Sequence, residues 1–229
     1  MGTNVSATRE GPRQIARLNV VNELRARILN GEYAHGERIR QEDIAEDFKL
    51  SRIPVREALR VLESEGLLII EPHRGARVAK VDRFELEQIY TLRAAADPLA
   101  IRQSIPYLTE EHIEMLEALA TRMEESNDIE VFLSTDREFH LTSYRGVQFP
   151  LIVQLVERFW NTTQHYRRRF AEVRTGPSFN YTHSDHRMLI QAVRDGNADV
   201  AAAIVKAHIE RTRDDLMTML DGIDETENP

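Results

Sequence analysis

A predicted helix that runs directly into a predicted β-hairpin, within residues 51–81, constrains the fold of this chain more than any other feature. Ser51 is a suitable helix cap, Pro54 falls in the first turn, where proline is tolerated, and Gly66 ends the helical pattern. The apolar residues that recur at helical spacing, and so predict the buried face, are Val55, Ala58, Leu59 and Leu62. The capped segment is therefore about four turns long.

The hairpin predicted after this helix has residues 67–71 and 76–81 as its strands, because both are rich in strand-favouring residues. Residues 72–75 between them form a turn sequence with a basic tip. Two earlier helices are predicted, one over residues 14–30 and a short one that ends at Phe48. The short gap between Phe48 and the cap of the next helix is typical of a helix-turn-helix. The pattern therefore predicts a winged helix-turn-helix.

Arg52, Arg56 and Arg60 follow one another at every fourth residue, along a stripe beside the buried face. An arginine can hydrogen-bond a guanine edge through two donors or clamp a phosphate, which suits a helix that enters the major groove by its N-terminus. Most exposed arginine stripes are merely solvated. This one gains weight from the hairpin, whose basic tip could reach an adjacent minor groove, and we expect the segment to bind double-stranded DNA.

Residues 51–59, their continuation over residues 62–67 and the segment 72–78 closely resemble the DNA-binding domain of GntR-family bacterial transcription regulators. The resemblance implies that Arg52 and Arg56 touch the operator. It also implies that residues at the tip of the wing approach the minor groove. We therefore expect an operator-binding domain at the N-terminal end of this chain.

One departure from the family pattern lies early in the second helix, where some members place a further basic contact. This chain has Gln41, Glu42 and Asp43 at that place, with Arg40 beside them. The predicted DNA-binding residues are Arg40, Ser51, Arg52, Ile53, Pro54, Arg56, Arg60, His73, Arg74 and Gly75.

The formal charge of the chain, −8 over 229 residues, is divided unevenly. Residues 1–80 hold 14 Lys and Arg against 12 Asp and Glu, a net charge of +2, which leaves −10 for residues 81–229. The acidity therefore belongs to the second part and does not argue against DNA binding by the first. In chain order we predict a flexible arm over residues 1–13, the winged helix-turn-helix over 14–81, an all-helical domain over 82–220 and an acidic tail over 221–229.

The chain has no cysteine, which excludes disulfides and thiolate metal sites and fits a reducing cytoplasm. No apolar run approaches the length of a membrane span, and the N-terminus has no apolar signal core. We therefore expect a bacterial cytoplasmic protein with no membrane partner.

From residue 82 onward the pattern is helical throughout, and Pro98 is expected to kink the first helix of this part. Short connections between amphipathic helices predict an antiparallel bundle, in which sites are built from inward-facing side chains. The predicted helices cover residues 82–104, 109–126, 129–146, 149–171, 180–195 and 197–220. The expected fold class is thus mainly α: an N-terminal winged helix-turn-helix plus a C-terminal antiparallel six-helix bundle.

Four residues of the predicted bundle have the spacing of a metal site. Asp136 and His140 stand four apart and project from one helix face. His186 and His208 flank the Gly196-Asn197 turn at nearly equal distances, so an antiparallel hairpin brings their imidazoles level. Three imidazoles and a carboxylate suit a divalent ion such as Zn, Ni, Mn or Fe. An Asp and His pair at this spacing is as often an ordinary surface pair, so spacing leaves both interpretations open.

Residues 136–140, 186–197 and 207–209 resemble the FCD effector-binding domain of the FadR-type branch of the GntR family. The resemblance implies a divalent metal ion held by Asp136, His140, His186 and His208. It also implies that the domain senses a small organic acid, often a sugar acid or another carboxylate, which approaches the metal.

Arg93 matches an arginine that meets the effector carboxylate in some members of this family, and a planar guanidinium suits that task. The alternative is a salt bridge to a carboxylate of the bundle, such as Asp97 four residues later on the same helix. The sequence favours neither interpretation over the other.

Other candidates are assigned no role in a site. Residues 167–169 are a run of three arginines, interpreted as a solvated face or an inter-subunit patch, since all three cannot point inward. His183 precedes His186 by three residues and is the one competitor as a metal ligand. The histidines interpreted as surface or supporting residues are His112, His165 and His183. The aromatic residues Trp160 and Tyr166 could line a pocket, but core packing is the simpler interpretation.

These interpretations together predict a ligand-responsive regulator, not an enzyme, that binds a short inverted repeat as a homodimer, with repression relieved by ligand as the default. One alternative is a constitutive DNA-binding protein whose bundle serves only for dimerisation. Another is a metal-dependent hydrolase, against which stands the lack of a convincing general base beside the four ligands.

Overall fold

The computed structural model describes residues 12–71, 75–173 and 178–227, and the chain divides into two compact units at Lys80 and Val81. The sequence-based boundary lay one residue later, between residues 81 and 82. The predicted N-terminal arm falls largely outside the described residues, since the first helix begins at Pro12.

The first unit combines helices with a small sheet, as the winged helix-turn-helix pattern predicted. Its elements are helix α1 (Pro12–Leu29), strand β1 (Arg38–Ile39), helices α2 (Gln41–Asp47) and α3 (Arg52–Ser64), and strands β2 (Leu68–Glu71) and β3 (Gly75–Val78). The three strands form an antiparallel sheet in the order β1-β3-β2. Leu68 is paired with Val78 and Glu71 with Gly75, so β2 and β3 form the predicted wing.

The core of this unit lies between α1, α3 and the sheet. The apolar face predicted for α3 is completely buried, and it packs with Val20, Leu24, Leu68 and Val78. Burying a side chain such as Leu59 or Leu62 stabilises a fold by roughly 1.5–3 kcal/mol. This core sets the rotation of α3, so the opposite side of the helix faces solvent.

Gly66 ends α3 with a positive φ of 78°, a conformation that glycine adopts without a steric penalty. The amide of Gly66 donates to the carbonyl of Glu63, and the amide of Leu67 donates to that of Leu62, each at 3.0 Å. These two bonds form a Schellman motif, which satisfies the last carbonyls of the helix. The turn directs the chain from the end of α3 into strand β2.

The second unit is an antiparallel bundle of helices, as predicted. Its elements are α4 (Arg83–Ser104), a short 3₁₀ helix (Ile105–Tyr107), α5 (Glu110–Glu125), α6 (Ile129–Ser143), α7 (Pro150–Val173), α8 (Ser178–Arg194) and α9 (Ala198–Glu227). Within it α4 packs against α7 and α9, and α5 packs against α6 and α8. None of the helices in the described part of the chain combines the length and apolar character needed to cross a membrane.

The N-terminus of α4 and the C-terminus of α9 show how the sequence determines where these helices begin and end. Asp82 caps α4 in a reciprocal capping box, accepting from the amide of Glu85 at 2.7 Å while Glu85 accepts from the Asp82 amide. The other end corrects a prediction, because α9 continues to Glu227 through the segment expected to be a tail. The guanidinium of Arg83 donates to Asp221 at 2.9 Å, which ties this part of α9 to α4.

Large buried side chains fill the centre of the bundle. Tyr90 and Phe139 are fully buried, and Trp160 is 1% exposed. Pro98 is also buried, and α4 continues through it to Ser104. These residues and their neighbours bring the inner faces of α4, α6, α7, α8 and α9 into one polar cluster, described below.

Candidate metal centre and nucleic-acid interface

The exposed side of α3 carries four of the ten residues predicted to contact DNA. The predicted residues that it leaves exposed are Arg52, Ile53, Arg56 and Arg60, preceded by exposed Ser51 at the N-cap. Ser51 has an extended backbone and makes no capping side-chain hydrogen bond. Arg52 lies 3.4 Å from the carboxylate of Glu42 on α2, an exposed pair of the kind that costs little to break.

The remaining predicted DNA contacts have mixed outcomes. Arg40 is exposed directly before α2. The prediction that Pro54 contacts DNA is corrected, because its side chain is buried in the folded unit. Gly75 opens β3 with a φ of 88°, and an added Cβ would lie 3.1 Å from the carbonyl oxygen of Ile39. His73 and Arg74 lie outside the described residues.

Three histidines from three helices converge inside the second unit. His140 lies on α6, His186 on α8 and His208 on α9, and one ring nitrogen of each lies within 4.8 Å of the others. The Nε2 atoms of His140 and His186 are 3.3 Å apart. His140 and His186 are each 1% exposed, so these rings are shielded from bulk solvent. The hairpin predicted around Gly196 therefore does bring His186 and His208 together.

Asp136 completes the cluster from α6, one turn before His140. Its Oδ1 lies 3.3 Å from Nε2 of His186 and 3.7 Å from Nε2 of His140. That oxygen is buried and has no hydrogen-bond partner of good geometry among the described residues. Its other oxygen, Oδ2, accepts from Arg167. A buried carboxylate oxygen left without a partner beside three imidazole nitrogens is the donor set expected around a cation.

A second carboxylate orients His208. Oδ2 of Asp185 lies 3.1 Å from Nδ1 of His208, and Arg211 donates to the same oxygen at 2.5 Å. If Nδ1 of His208 carries the proton donated to Asp185, Nε2 presents its lone pair, as in other carboxylate-supported metal histidines.

The pKa shifts in the cluster favour the protonation states that a metal needs. Burial alone would raise the pKa of Asp136, but Arg167 and the two nearest imidazoles outweigh it and hold that pKa well below its usual range. Burial lowers the pKa of His140 well below its ordinary value, and it also lowers that of His208. At neutral pH the carboxylate is charged and both imidazoles are neutral, so each can donate a lone pair.

A cavity opens beside the cluster. The residues that line it are Arg93, Phe132, Leu133, Asp136, Trp160, Arg167, Phe170, Ala171, Thr182, His208, Ile209 and Thr212. Its ionisable groups are thus two guanidiniums, one carboxylate and one imidazole from the histidine cluster, set in a largely apolar wall. This composition is typical of a small-molecule site.

Arg93 satisfies parts of both interpretations made from the sequence. It is 1% exposed and donates to Asp97 at 2.9 Å, which is the predicted ion pair within α4. It also lines the cavity, and its Cζ lies 4.6 Å from the centroid of the Trp160 ring. Burial lowers the pKa of Arg93, but Asp97 more than offsets it and the pKa is raised, so the side chain carries a full positive charge.

Four residues of the site were not predicted from the sequence: Trp160, Arg167, Asp185 and Arg211. Trp160 and Arg167 are seven residues apart on α7, and that spacing could have placed both on one face. The run 167–169 does not form one solvated face, because Arg167 turns inward, whereas Arg168 pairs with Glu130 at 2.6 Å and Arg169 is exposed. His183, the competing ligand, is not part of the group of converging nitrogens.

Both units are similar to parts of known proteins. Residues 88–211 match the FCD domain and residues 16–78 match bacterial regulatory proteins of the gntR family. The Nta operon transcriptional regulator of Aminobacter aminovorans is 30% identical over 82% of this chain and 88% of its own length. The gluconate operon transcriptional repressor of Bacillus subtilis is 26% identical over 77% of this chain and 75% of its own length.

Among solved structures, E. coli McbR/YncC has a TM-score of 0.77 at 21% identity, covering 90% of this chain and 98% of its own, which shows a shared fold. The curated relatives named above are regulators of transcription and not enzymes. On the strength of these matches, the chain belongs to the GntR family and is a DNA-binding transcription regulator with an FCD domain.

Proposed function

We propose that this regulator senses a small carboxylate in a metal-containing site of its helical bundle and that the ligand controls binding to its operator. The observation that carries the proposal is that the three histidines converge beside Asp136, and that Asp136 and His208 line a cavity that Arg93 also lines. A metal ion and a guanidinium that face one cavity are suited to hold a carboxylate between them.

The residues proposed to hold the metal are Asp136, His140, His186 and His208. Nitrogen and oxygen donors with neutral imidazoles fit a borderline divalent ion such as Zn, Ni, Mn or Fe. When bound, the ion supplies a Lewis-acidic anchor for a carboxylate oxygen. Asp185 orients His208, and Arg167 holds the remaining oxygen of Asp136, so the ligand set is positioned before a metal enters.

On the DNA side, we propose that the exposed arginines of α3 enter the major groove, with each subunit of a homodimer binding one half of a short inverted repeat. Two-fold symmetry of the protein makes a palindromic operator the geometric expectation. The exposed positions of Arg52 and Arg56 support this assignment. The proposed place of action is the bacterial cytoplasm, where the operator is found.

Ligand binding can change operator affinity only through different affinities for two states of the protein. The proposed ligand set spans α6, α8 and α9, so its occupation biases how these helices pack. Repression relieved by ligand is the proposed direction, supported by the relative named as a repressor of a gluconate operon. Gluconate is itself a small carboxylate, which agrees with the chemistry of the cavity.

Selection of operator DNA tests this function. The purified protein, with and without added Zn²⁺, is incubated with fragmented DNA from its source organism at physiological salt, and the retained fragments are sequenced. Physiological salt matters because phosphate contacts alone retain DNA at low salt. Enrichment of a short inverted repeat supports the proposal, and neighbouring genes suggest which carboxylates to test for release. If no shared repeat is enriched under either condition, the proposed operator binding is wrong.

A further inference from the structure

The buried charges around the cavity balance one another before any ligand is considered. Arg93, Arg167, Asp97 and Asp136 are each at most 7% exposed. These two guanidiniums and two carboxylates sum to zero, and the buried carboxylate of Asp185 is matched by Arg211, which donates to it at 2.5 Å. The Cζ atoms of Arg93 and Arg167 lie 4.6 Å and 3.6 Å from the centroid of the same Trp160 ring, so the two cations are close enough to interact. Half-buried Arg137, which donates to Asn161 at 2.9 Å, adds positive charge near Arg167.

A divalent ion disturbs this balance. Its imidazole ligands are neutral, so a metal held by the histidine cluster leaves an excess of two positive charges in a site with little access to water. Uncompensated charge in such a place is costly, and the favoured partner is an anion of equal and opposite charge. A ligand with a single carboxylate neutralises only half of the excess.

Arg167 offers a second place for an anion. Its Nη2 donates to Asp136, whereas its Nη1 is buried and has no hydrogen-bond partner among the described residues. Its Cζ lies 3.6 Å from the centroid of the Trp160 ring, so the guanidinium is stacked and held in place. The Nε of Arg93 is likewise buried without a partner in the described part of the chain. Both arginines line the cavity, and unsatisfied buried donors of this kind are expected to be matched by a ligand.

We propose that the effector is a dianion, a short dicarboxylate, and that Arg167 binds its second carboxylate while Arg93 and the metal bind the first. Arg167 is then the residue that determines selectivity for two negative charges over one. The inference rests on the proposed function, because it concerns the chemical class of the same effector.

The test compares ligands that differ by one charge and little else. Full-length protein loaded with Zn²⁺, in a buffer without carboxylates, is titrated by calorimetry with malonate, succinate and glutarate and with the monoamide of each. Because a charge-assisted hydrogen bond contributes about 1.5–3 kcal/mol, at least one diacid is expected to bind about tenfold or more tightly than its monoamide.

Variants of the arginine run assign this preference to one residue. Arg167→Gln is expected to bring the ratio of the two dissociation constants close to one, and Arg167→Lys, which keeps the charge, is expected to preserve part of it. Arg169→Gln, an exposed neighbour on the same helix, is the matched control and keeps the full ratio. Zn²⁺ affinity is measured for every variant by competition with a chelator, since Arg167 also holds Asp136.

The outcomes separate this inference from the function on which it rests. Equal binding of diacids and monoamides by the unmodified protein overturns the inference alone, provided that these ligands still release operator DNA. The inference is also overturned if Arg167→Gln keeps the preference for a diacid over its monoamide. If no acid binds while metal and operator binding are intact, the proposed carboxylate sensing and the inference both fail.

Discussion

Asp185 contacts His208, one of the proposed ligands, and is expected to affect metal binding without being a ligand itself. We predict that Asp185→Asn lowers metal affinity about 10- to 100-fold, the usual effect of losing a carboxylate that orients a metal histidine. The amide keeps the size of the side chain but no longer fixes which nitrogen of His208 carries the proton. Chelator competition with Zn²⁺ measures the change.

The control for this prediction is Asp195→Asn, which alters an exposed carboxylate that accepts a hydrogen bond from Gln191 at the end of α8. It should leave metal affinity unchanged. Equal affinities for both variants would mean that the hydrogen bond from His208 to Asp185 has no part in binding.

Buried His140 gives the metal-free protein a predictable pH dependence. Burial places its pKa in the folded state below the unfolded value of about 6.5, so the unfolded chain takes up the proton first as pH falls. Stability from this group is therefore present above about pH 6.5 and is lost below it. Thermal unfolding of chelator-treated protein should show Tm falling from about pH 7.5 to 5.5, with a shallower slope in His140→Gln. An unchanged slope in that variant would refute this assignment.

At the residue scale, the sequence predicted the convergence of the proposed ligands better than it predicted the residues that contact them. Asp136 and His140 share a helix face by spacing alone, and the turn at Gly196 set His186 against His208. Arg167 could not be separated from its two neighbouring arginines, because the rotation of α7 depends on packing around Trp160. The role of Asp185 could be recognised only from its distance to His208, because the two residues lie on different helices.

Among the elements, α3 is expected to carry most of the operator specificity. Arg56→Ala should weaken operator binding by about 1–3 kcal/mol and relax discrimination at the base it contacts, as for a lost bidentate contact to guanine. Arg187→Ala, on α8 and paired with Glu124 at 2.8 Å, is the control. Binding is followed by fluorescence anisotropy with operator and mutated operator at one salt concentration. Equal losses on both DNAs would reassign Arg56 to a phosphate contact.

The turn between α3 and the wing should depend on its glycine. Gly66→Ala forces a side chain into the left-handed region and is predicted to destabilise the protein by roughly 1–2 kcal/mol. Gly222→Ala is the matched control, and its expected effect on stability has the opposite sign. Gly222 lies in α9, where an added Cβ meets nothing within 4 Å. This change should stabilise the protein by up to about 1 kcal/mol. Urea unfolding followed by circular dichroism measures both. A neutral effect at Gly66 would contradict the strain argument.

Strong periodic elements were predictable, and weak ones were not. Helix α3 and strands β2 and β3 follow from the apolar pattern, the proline and Gly66, although β3 ends at Val78, three residues before the predicted limit. Strand β1 has two residues, too few for any periodicity, and it exists because Arg38 and Ile39 pair with β3. The end of α9 was assigned to a tail from its acidic composition, but Asp and Glu are tolerated in helices and Arg83 binds Asp221.

For the whole molecule, the proposed metal links three helices and should therefore stabilise the entire bundle. With free Zn²⁺ at about one hundred times its dissociation constant, the expected gain is about 2.7 kcal/mol, and a chelator should reverse it. His208→Ala should abolish the Zn²⁺-dependent rise in Tm, whereas His183→Ala should retain it. If His183→Ala loses the Zn²⁺-dependent rise in Tm and His208→Ala keeps it, His183 rather than His208 is the metal ligand.

The chain contains one tryptophan, and it is the ring on which Arg93 and Arg167 are stacked. Indole emission excited selectively over tyrosine therefore comes from this cavity and from nowhere else in the protein. Nearby cations and the adjacent His140 ring, 5.1 Å away between centroids, affect that emission. The regulator thus carries its own optical reporter, with which the loading of its cavity can be followed in real time without a label.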